Sequence, residues 1–467
     1  MASISIFEIF KIGVGPSSSH TLGPWNAALN FVENISIKKV DRIRIHLYGS
    51  LSKTGVGHAT DKAIVLGILG YLPQTIDTNQ IDKIIATIQE DKVITVQSKK
   101  MPFDFQKDLI FESFEHELHP NTLLFKAFSN GKILKEQIFA SVGGGFIESE
   151  VFSNVSVGKR VLPHPIEKGA DLLNYTIEHD CSISDIVYRN ELALKTASEI
   201  DEHMDSLLEA ILDSVYDGCR TDGILPGCLN VTRRAKGICD KLIGGASYTS
   251  RKEWIALIKK TPKNFSSINK WISCFALAVN EQNAAMGRVV TSPTNGAAGV
   301  IPSVLMYYML FCDYKGKEYI KKFLFTAGEI GSIFKKGATI SAAVGGCQAE
   351  IGVSSAMAAG ALTEVLGGTP GQCLMAAEIA MEHHLGLTCD PIKGLVQVPC
   401  IERNAMGAIK AITASNLAIE SDSENAIVNI DTVIKTMWDV ALDMHSKYKE
   451  TSEGGLAINL PVVNPSC

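Results

Sequence analysis

The second half of the chain is built from long segments whose apolar residues recur at helical spacing, and nothing else in the sequence restricts the fold as strongly. From about residue 183 onward these are ISDIVYRNELALKTASEIDEHMDSLLEAILDSVYDG, FSSINKWISCFALAVNEQNAAMG, AEIGVSSAMAAGALTEVLGG, NAMGAIKAITASNLAIE and DTVIKTMWDVALDMHSKY. Gly, Ser and Ala are dense on several of them, which lets helix axes approach closely. The pattern predicts an all-α domain over residues 183–467. The first 150 residues read differently. KVDRIRIHLYGSL alternates apolar and polar residues as a half-buried strand does, and ATDKAIVLGILGYL and NQIDKIIATIQE carry helix-spaced apolar positions. KVITVQS is strand-like, and NTLLFKAFSNGKILKEQIFASVGGGF reads as a hairpin turning at Asn130-Gly131, a pair that accepts the positive φ angles of a tight turn. The expected fold class is therefore an α+β N-terminal domain over 1–155, a linker over 156–182 containing VLPHPIEKGADL, and a mostly all-α catalytic domain.

Composition excludes several kinds of protein. The chain has 467 residues, 46% of them hydrophobic and 20% charged, which is enough for two or three domains with sizeable cores. A net charge of -6 with no basic stripe argues against nucleic acid as a partner. The N-terminus lacks a signal-peptide pattern, and the most apolar run, VIPSVLMYYMLFC, is too short to span a bilayer. A cytoplasmic protein with no membrane partner is expected, its eleven cysteines mostly reduced thiols.

Three of those cysteines stand in loop-like surroundings or at a helix start: Cys347 in AAVGGCQAEIG, and Cys389 and Cys400 in LTCDPIKGLVQVPCIERN. A helix N-terminus lowers a thiol pKa and favours the metal-binding thiolate. The spacing matches neither paired zinc knuckles nor the common ferredoxin patterns, so by itself it leaves metal ligation and plain buried thiols both open. Cys274, Cys312 and Cys373 lie within helical apolar patterns and read as small core residues.

Other polar groups gather in four motifs. GVGPSSSHTLGPWNAALNF places three serines, His20 and Thr21 before a helix opened by Pro24, where hydroxyls and free N–H groups suit a carboxylate as well as they suit helix capping. GSLSKTGVGHATDKA puts His58 between glycines on a strand-to-helix loop, where a neutral imidazole can accept a proton. MGRVVTSPTNGAAGVIP leads Ser292 to Asn295 into an apolar helix without the glycine spacing of a P-loop or a dinucleotide fingerprint. DGILPGCLNVTRRA adds Arg233 and Arg234, as a carboxylate clamp or as solvated charges.

Taken together, GPSSSHT, GSLSKTGVGHATDKA, HPNT, LPGCLNVTRRA, SPTNGAAG, GGCQAEIGVSSAMAAGAL and HHLGLTCDPIKGLVQVPCIERN resemble, in order and nearly end to end, the iron–sulfur-dependent L-serine dehydratases of bacteria in their single-chain form. HPNT departs from the HPNGM-like form of that family, at the motif holding His119 and Asn121. The resemblance implies a regulatory-like N-terminal domain, a helical domain that carries a [4Fe-4S] cluster, and deamination of L-serine to pyruvate and ammonia in amino-acid degradation feeding gluconeogenesis. It makes Cys347, Cys389 and Cys400 the expected cluster ligands. An open metal position acts as a Lewis acid on the substrate hydroxyl. His58 is then the expected base, with His20 in reserve. Ser17, Ser18, Ser19, Thr21, Ser292, Thr294, Asn295 and Gly296 are assigned to the substrate carboxylate and amine. Cys467, after the apolar tail GGLAINLPVVNP, is expected to fold back as a displaceable fourth ligand. The site is expected in a cleft between domains or subunits, and the protein is expected to be a homodimer. Rival readings are a pyridoxal-phosphate deaminase, for which no lysine and phosphate-loop combination is found, another cluster-dependent hydro-lyase, an electron-transfer or zinc protein, and a serine-sensing role for the N-terminal domain.

Overall fold

The computed structural model describes residues 4–149 and 162–459. Its strands are β1 (Ile12–Val14), β2 (Arg42–Leu47), β3 (Val93–Val96), β4 (Lys99–Pro102), β5 (Leu109–Phe111), β6 (Thr122–Ser129), β7 (Lys132–Ser141), β8 (Ile147–Glu148) and β9 (Arg288–Val290). Five of them form one sheet in the order β5-β2-β6-β7-β8, in which only the β2–β5 pair is parallel. The alternation of RIRIHL is realised: Ile43, Ile45 and Leu47 are buried and the residues between them are not. Helices Gly23–Glu33 and Thr60–Ile68 cover that face with Trp25, Phe31 and Ile64, and Phe31 stacks on Phe125 at 5.1 Å. The hairpin turns at Asn130 and Gly131, with φ of 49° and 76°, the pair of positive angles that Asn-Gly accommodates.

The helical half is organised around one helix, Ile351–Val365, every residue of which is buried. Lys317–Gly337, Pro370–Glu382, Cys400–Ile419 and Val300–Phe311 pack around it. The sequence IGVSSAMAAGALTEV supplies small side chains for these close approaches, and its polar atoms are paired: Ser355 Oγ donates to Gly407 O at 2.8 Å and Thr363 Oγ1 bonds Ser415 Oγ at 2.9 Å. Each hydroxyl thereby avoids the cost of about 1–3 kcal/mol that an unpaired buried polar group carries. The N-terminal α+β region and the helical C-terminal region agree with the fold class read from the sequence.

The two halves interlock. Ile6, Ile9 and Phe10, at the start of the chain, are buried in the helical core, anchored where Ile6 N–H donates to Glu191 Oε1 at 2.9 Å. β1 then pairs antiparallel with β9. The stretch read as a linker holds a helix, Gly169–Glu178, whose Leu172 joins the same core. The β1–β9 ribbon places the site, because Ser17–Thr21 follows one strand and Thr291–Gly296 follows the other.

Helix Ala197–Gly218 crosses Phe265–Ala284 at Gly218, where an added Cβ would lie 2.3 Å from Ala278 O. Main chain cannot yield there as a side chain would. Gly218→Ala should therefore lose about 1–3 kcal/mol of stability, although helix propensity alone favours alanine by about 1 kcal/mol. A lowered urea midpoint is the expected result, and an unchanged or raised one would show that the crossing relaxes.

Candidate active site

Two loops of the α+β half bring His20 and His58 together, with ring centroids 4.5 Å apart. Ser17 N–H donates to Thr21 Oγ1 at 3.0 Å, and His20 N–H donates to Ser17 Oγ at 3.1 Å, which winds Ser18–Leu22 into a tight π-helical turn. Hydroxyls then tie the loops to each other: Thr21 Oγ1 donates to His58 O at 2.8 Å and Thr60 Oγ1 to His20 O at 2.6 Å. Gly57 allows the His58 loop to meet the cysteine loop, since a Cβ there would stand 2.9 Å from Gly394 O.

The hydrogen bonds assign the imidazole tautomers. His58 Nδ1 donates to Thr54 O at 2.9 Å, which leaves Nε2 with the lone pair, 3.5 Å from Glu450 Oε1. Ser50 Oγ gives its proton to Glu450 O at 2.8 Å, so it must accept from His20 Nε2 at 3.0 Å. His20 Nδ1 is left to accept from Ser19 Oγ at 2.9 Å. Both nitrogens of His20 are thus engaged, whereas His58 keeps one open acceptor. Burial holds His58 at a pKa of about 4 and pushes His20 well below the usual imidazole value, so both are neutral at pH 7.

The cysteines adjoin this group. Cys347 lies in a short turn before the central helix, behind Gly346 at φ 70°, and Cys400 opens helix Cys400–Ile419. Cys389 is fastened to the C-terminal segment: its N–H donates to Tyr448 O at 2.8 Å and its O accepts from Glu450 N–H at 2.9 Å. The Cys347 and Cys389 sulfurs and a Glu350 oxygen lie within 4.8 Å of one another. Cys400 is buried and feels the charges of Cys347 and Arg403. Hydrogen bonding to Cys389 draws the Cys347 thiol below its ordinary pKa, while the same interaction pushes Cys389 up and burial pushes Cys400 up. Arg403 is the cation of the site, held by Thr388 O at 2.7 Å and Asp390 Oδ1 at 3.0 Å. Burial raises Glu350 to about 7 and lifts Glu450 well above the usual carboxylate range, the latter with help from Glu350. Three free, buried thiols facing a guanidinium are a donor set suited to a thiolate-bound metal or cluster.

The residues singled out in the sequence distribute unevenly. His20, His58 and Ser19 converge on Glu450, with Ser19 Oγ 3.5 Å from Glu450 Oε2, and Ser17 Oγ stands behind them, 3.2 Å from Ser19 Oγ. Gly296 abuts Glu350, where a Cβ would fall 2.7 Å from Oε2. The hydroxyl of Ser18 is buried without a hydrogen-bond partner, and that of Thr294 is turned to the Glu350 carboxyl. Thr21 and Ser292 hold main-chain carbonyls, and Asn295 Nδ2 reaches Val14 O at 3.3 Å and Asn283 Oδ1 at 3.2 Å. His119 accepts from Asn121 N–H at 2.9 Å and lies near enough to His20 to lower its pKa further. Cys467 lies outside the described residues. Sequence reasoning passed over Glu350, Glu450 and Arg403. Glu350 and Arg403 each stand three residues after a singled-out cysteine, a spacing that brings side chains together on a helix. Glu450 has no such local mark, since only the folded chain carries it to His58.

Similarity to known proteins runs along nearly the whole chain. The chain matches the family model for the serine dehydratase beta chain over residues 5–151 and that for the serine dehydratase alpha chain over 178–457. It is 42% identical to the L-serine dehydratase of Haemophilus influenzae over 465 residues, covering 98% of this chain and 99% of the relative. With L-serine dehydratase 2 of Escherichia coli K12 the identity is 42% over 464 residues, with 98% and 99% coverage. With the L-serine dehydratase of Helicobacter pylori 26695 it is 45% over 470 residues, with 98% and 100% coverage.

The buried histidine has a measurable linkage. Folded His58 titrates near 4 and an unfolded histidine near 6.5, so its neutral burial stabilises fully above pH 6.5 and loses that contribution as pH falls toward 4. Between pH 7 and 5 the wild type should lose about 2 kcal/mol relative to His58→Gln, which has no proton to gain. Urea midpoints of both proteins at the two pH values read that difference, and parallel profiles would contradict it.

Proposed function

The chain belongs to the family of single-chain bacterial L-serine dehydratases, and from that premise we propose that it converts L-serine to pyruvate and ammonia at the site joining Cys347, Cys389 and Cys400 to His58. The observation that carries this reading is the convergence of three buried thiols and Arg403 with an open imidazole nitrogen and buried hydroxyls. Cys347, Cys389 and Cys400 would hold a [4Fe-4S] cluster, with Cys467 as a displaceable fourth ligand. When bound, that group supplies a Lewis acid that makes hydroxide a better leaving group and acidifies the α-hydrogen.

The protein's own groups do the rest. His58 Nε2 takes the α-proton, its tautomer fixed by the Nδ1–H bond to Thr54 O. The imidazolium so formed faces Glu450 Oε1, 3.5 Å away. Ser17, Ser18 and Ser19 with Thr294 offer hydroxyls to the carboxylate and amine, and the Ser18 oxygen has no other partner. Thr21, Ser292, Asn295 and Gly296 shape the loops that present them. Loss of the α-proton and the β-hydroxide gives aminoacrylate and water; the aminoacrylate tautomerises to an imine, which water hydrolyses to pyruvate and ammonia. A site lined from both halves of the chain excludes bulk water from the proton transfer. The physiological reading is a cytoplasmic homodimer that degrades serine to feed pyruvate into gluconeogenesis.

Anaerobically purified protein should contain about four irons and four sulfides per chain and form pyruvate from L-serine, with activity lost in air and restored by iron and reductant. Cys347→Ser, Cys389→Ser and Cys400→Ser should each lose both iron and activity. His58→Ala should keep its iron and lose about 10²–10⁴-fold in kcat; near-normal kcat would remove His58 as the base. The described chain already brings Leu456 N–H to Asp390 Oδ2 at 2.8 Å, beside Cys389. Deleting the last few residues should accordingly change the electron paramagnetic resonance of the resting cluster or its oxygen lability. No change in either would remove Cys467 from the ligand set.

A further inference from the structure

The protons assigned to the two imidazoles leave a corner made of acceptors. His58 Nε2 and His20 Nδ1 both carry lone pairs, and each stands 3.5 Å from Glu450 Oε1. All three residues are buried, and their ligand atoms lie within 4.8 Å of one another. Glu450 holds at most one proton, so it cannot donate to both nitrogens. Lone pairs turned on one another in a dry site are costly unless a cation joins them.

The spacing is that of metal ligands. Nitrogen and oxygen atoms bound at about 2.0–2.1 Å to a tetrahedral zinc ion stand about 3.3–3.4 Å apart. Two histidines and a glutamate are also a donor set of zinc sites that keep a fourth position open. A ligating imidazole commonly gives its other ring N–H to an oxygen that fixes its tautomer and orientation. Both rings already do so: His58 Nδ1 donates to Thr54 O at 2.9 Å, and His20 Nε2 donates to Ser50 Oγ at 3.0 Å. The hydroxyl that now occupies His20 Nδ1 has another acceptor within reach, because Ser19 Oγ lies 2.9 Å from that nitrogen and 3.5 Å from Glu450 Oε2.

We propose that His20, His58 and Glu450 form a metal site separate from the cysteines, that it takes a single zinc ion, and that the ion stops turnover by occupying the nitrogen that accepts the α-proton. The block on turnover rests on the role given to His58 above, whereas the binding does not. The ion needs no entrance of its own, since serine must reach the same nitrogen. Bound there, it would clasp the two loops of the α+β half to the C-terminal segment that carries Glu450.

Protein purified anaerobically with its iron in place is titrated with zinc chloride alone. Equilibrium dialysis should find one zinc per chain with the iron content unchanged. Zinc-edge X-ray absorption should show nitrogen and oxygen neighbours at about 2.0–2.1 Å and none at the distance of about 2.3 Å that marks a zinc–sulfur bond. His20→Gln and Glu450→Gln should each weaken zinc binding at least about tenfold while keeping their iron, which shows that they are folded. Pyruvate formation by the wild type should fall about 10²-fold or more at saturating zinc, the loss expected when the base is removed, and return on chelation without added iron. A sulfur shell around the zinc, release of iron, or binding that neither substitution weakens overturns the site. Zinc held by nitrogen and oxygen with kcat unchanged overturns the block on turnover. Failure to form pyruvate before zinc is added counts against the serine reading alone, because dialysis and absorption decide the metal site without turnover.

Discussion

Two main-chain hydrogen bonds decide whether this chain has one site or two. Cys389 N–H to Tyr448 O and Glu450 N–H to Cys389 O lay the C-terminal segment along the cysteine loop as a single parallel bridge. Glu450 is thereby carried to His20 and His58, and its own carbonyl accepts from Ser50. Through that bridge the thiols of the helical half and the imidazoles of the α+β half share Glu450 as a neighbour. Main-chain bonds suit the task, because they fix position without depending on which side chains are charged.

The electrostatics follow from that enclosure. Two carboxyls, two imidazoles and three thiols share a buried volume with one guanidinium, so burial presses nearly every group toward its neutral form. The site is held in the state a proton acceptor needs before any substrate arrives. Cys347 is the exception, drawn toward its thiolate by Cys389 and Arg403. A metal that binds thiolates would reverse the bias on the other two, because its charge repays what burial takes.

Much of this was legible in the sequence. Strand alternation in RIRIHL, the Asn-Gly turn and the helical texture after residue 183 rest on local rules, and the structure follows them. Cys347, Cys389, His20 and His58 were legible because glycine and proline mark the loops that expose them. The packing of Ile6, Ile9 and Phe10 into the helical core was not legible, since a four-residue helix has no period long enough to say which half it joins. Glu450 was hidden for a related reason. Its burial comes from contacts 400 or more residues away in sequence, on which propensity and spacing are silent.

The placement of those first residues bears on how such an enzyme can be divided. β1 completes a ribbon whose other strand lies in the helical half, and Ile6, Ile9 and Phe10 fill a groove on helix Lys317–Gly337. The α+β half is thus a strand donor, and the helical half is its acceptor. A two-polypeptide version of this architecture would be an obligate pair, each piece carrying an apolar surface or an unpaired strand edge that only the other can cover. Severing the chain between the halves would separate them in covalent terms while leaving them inseparable in solution.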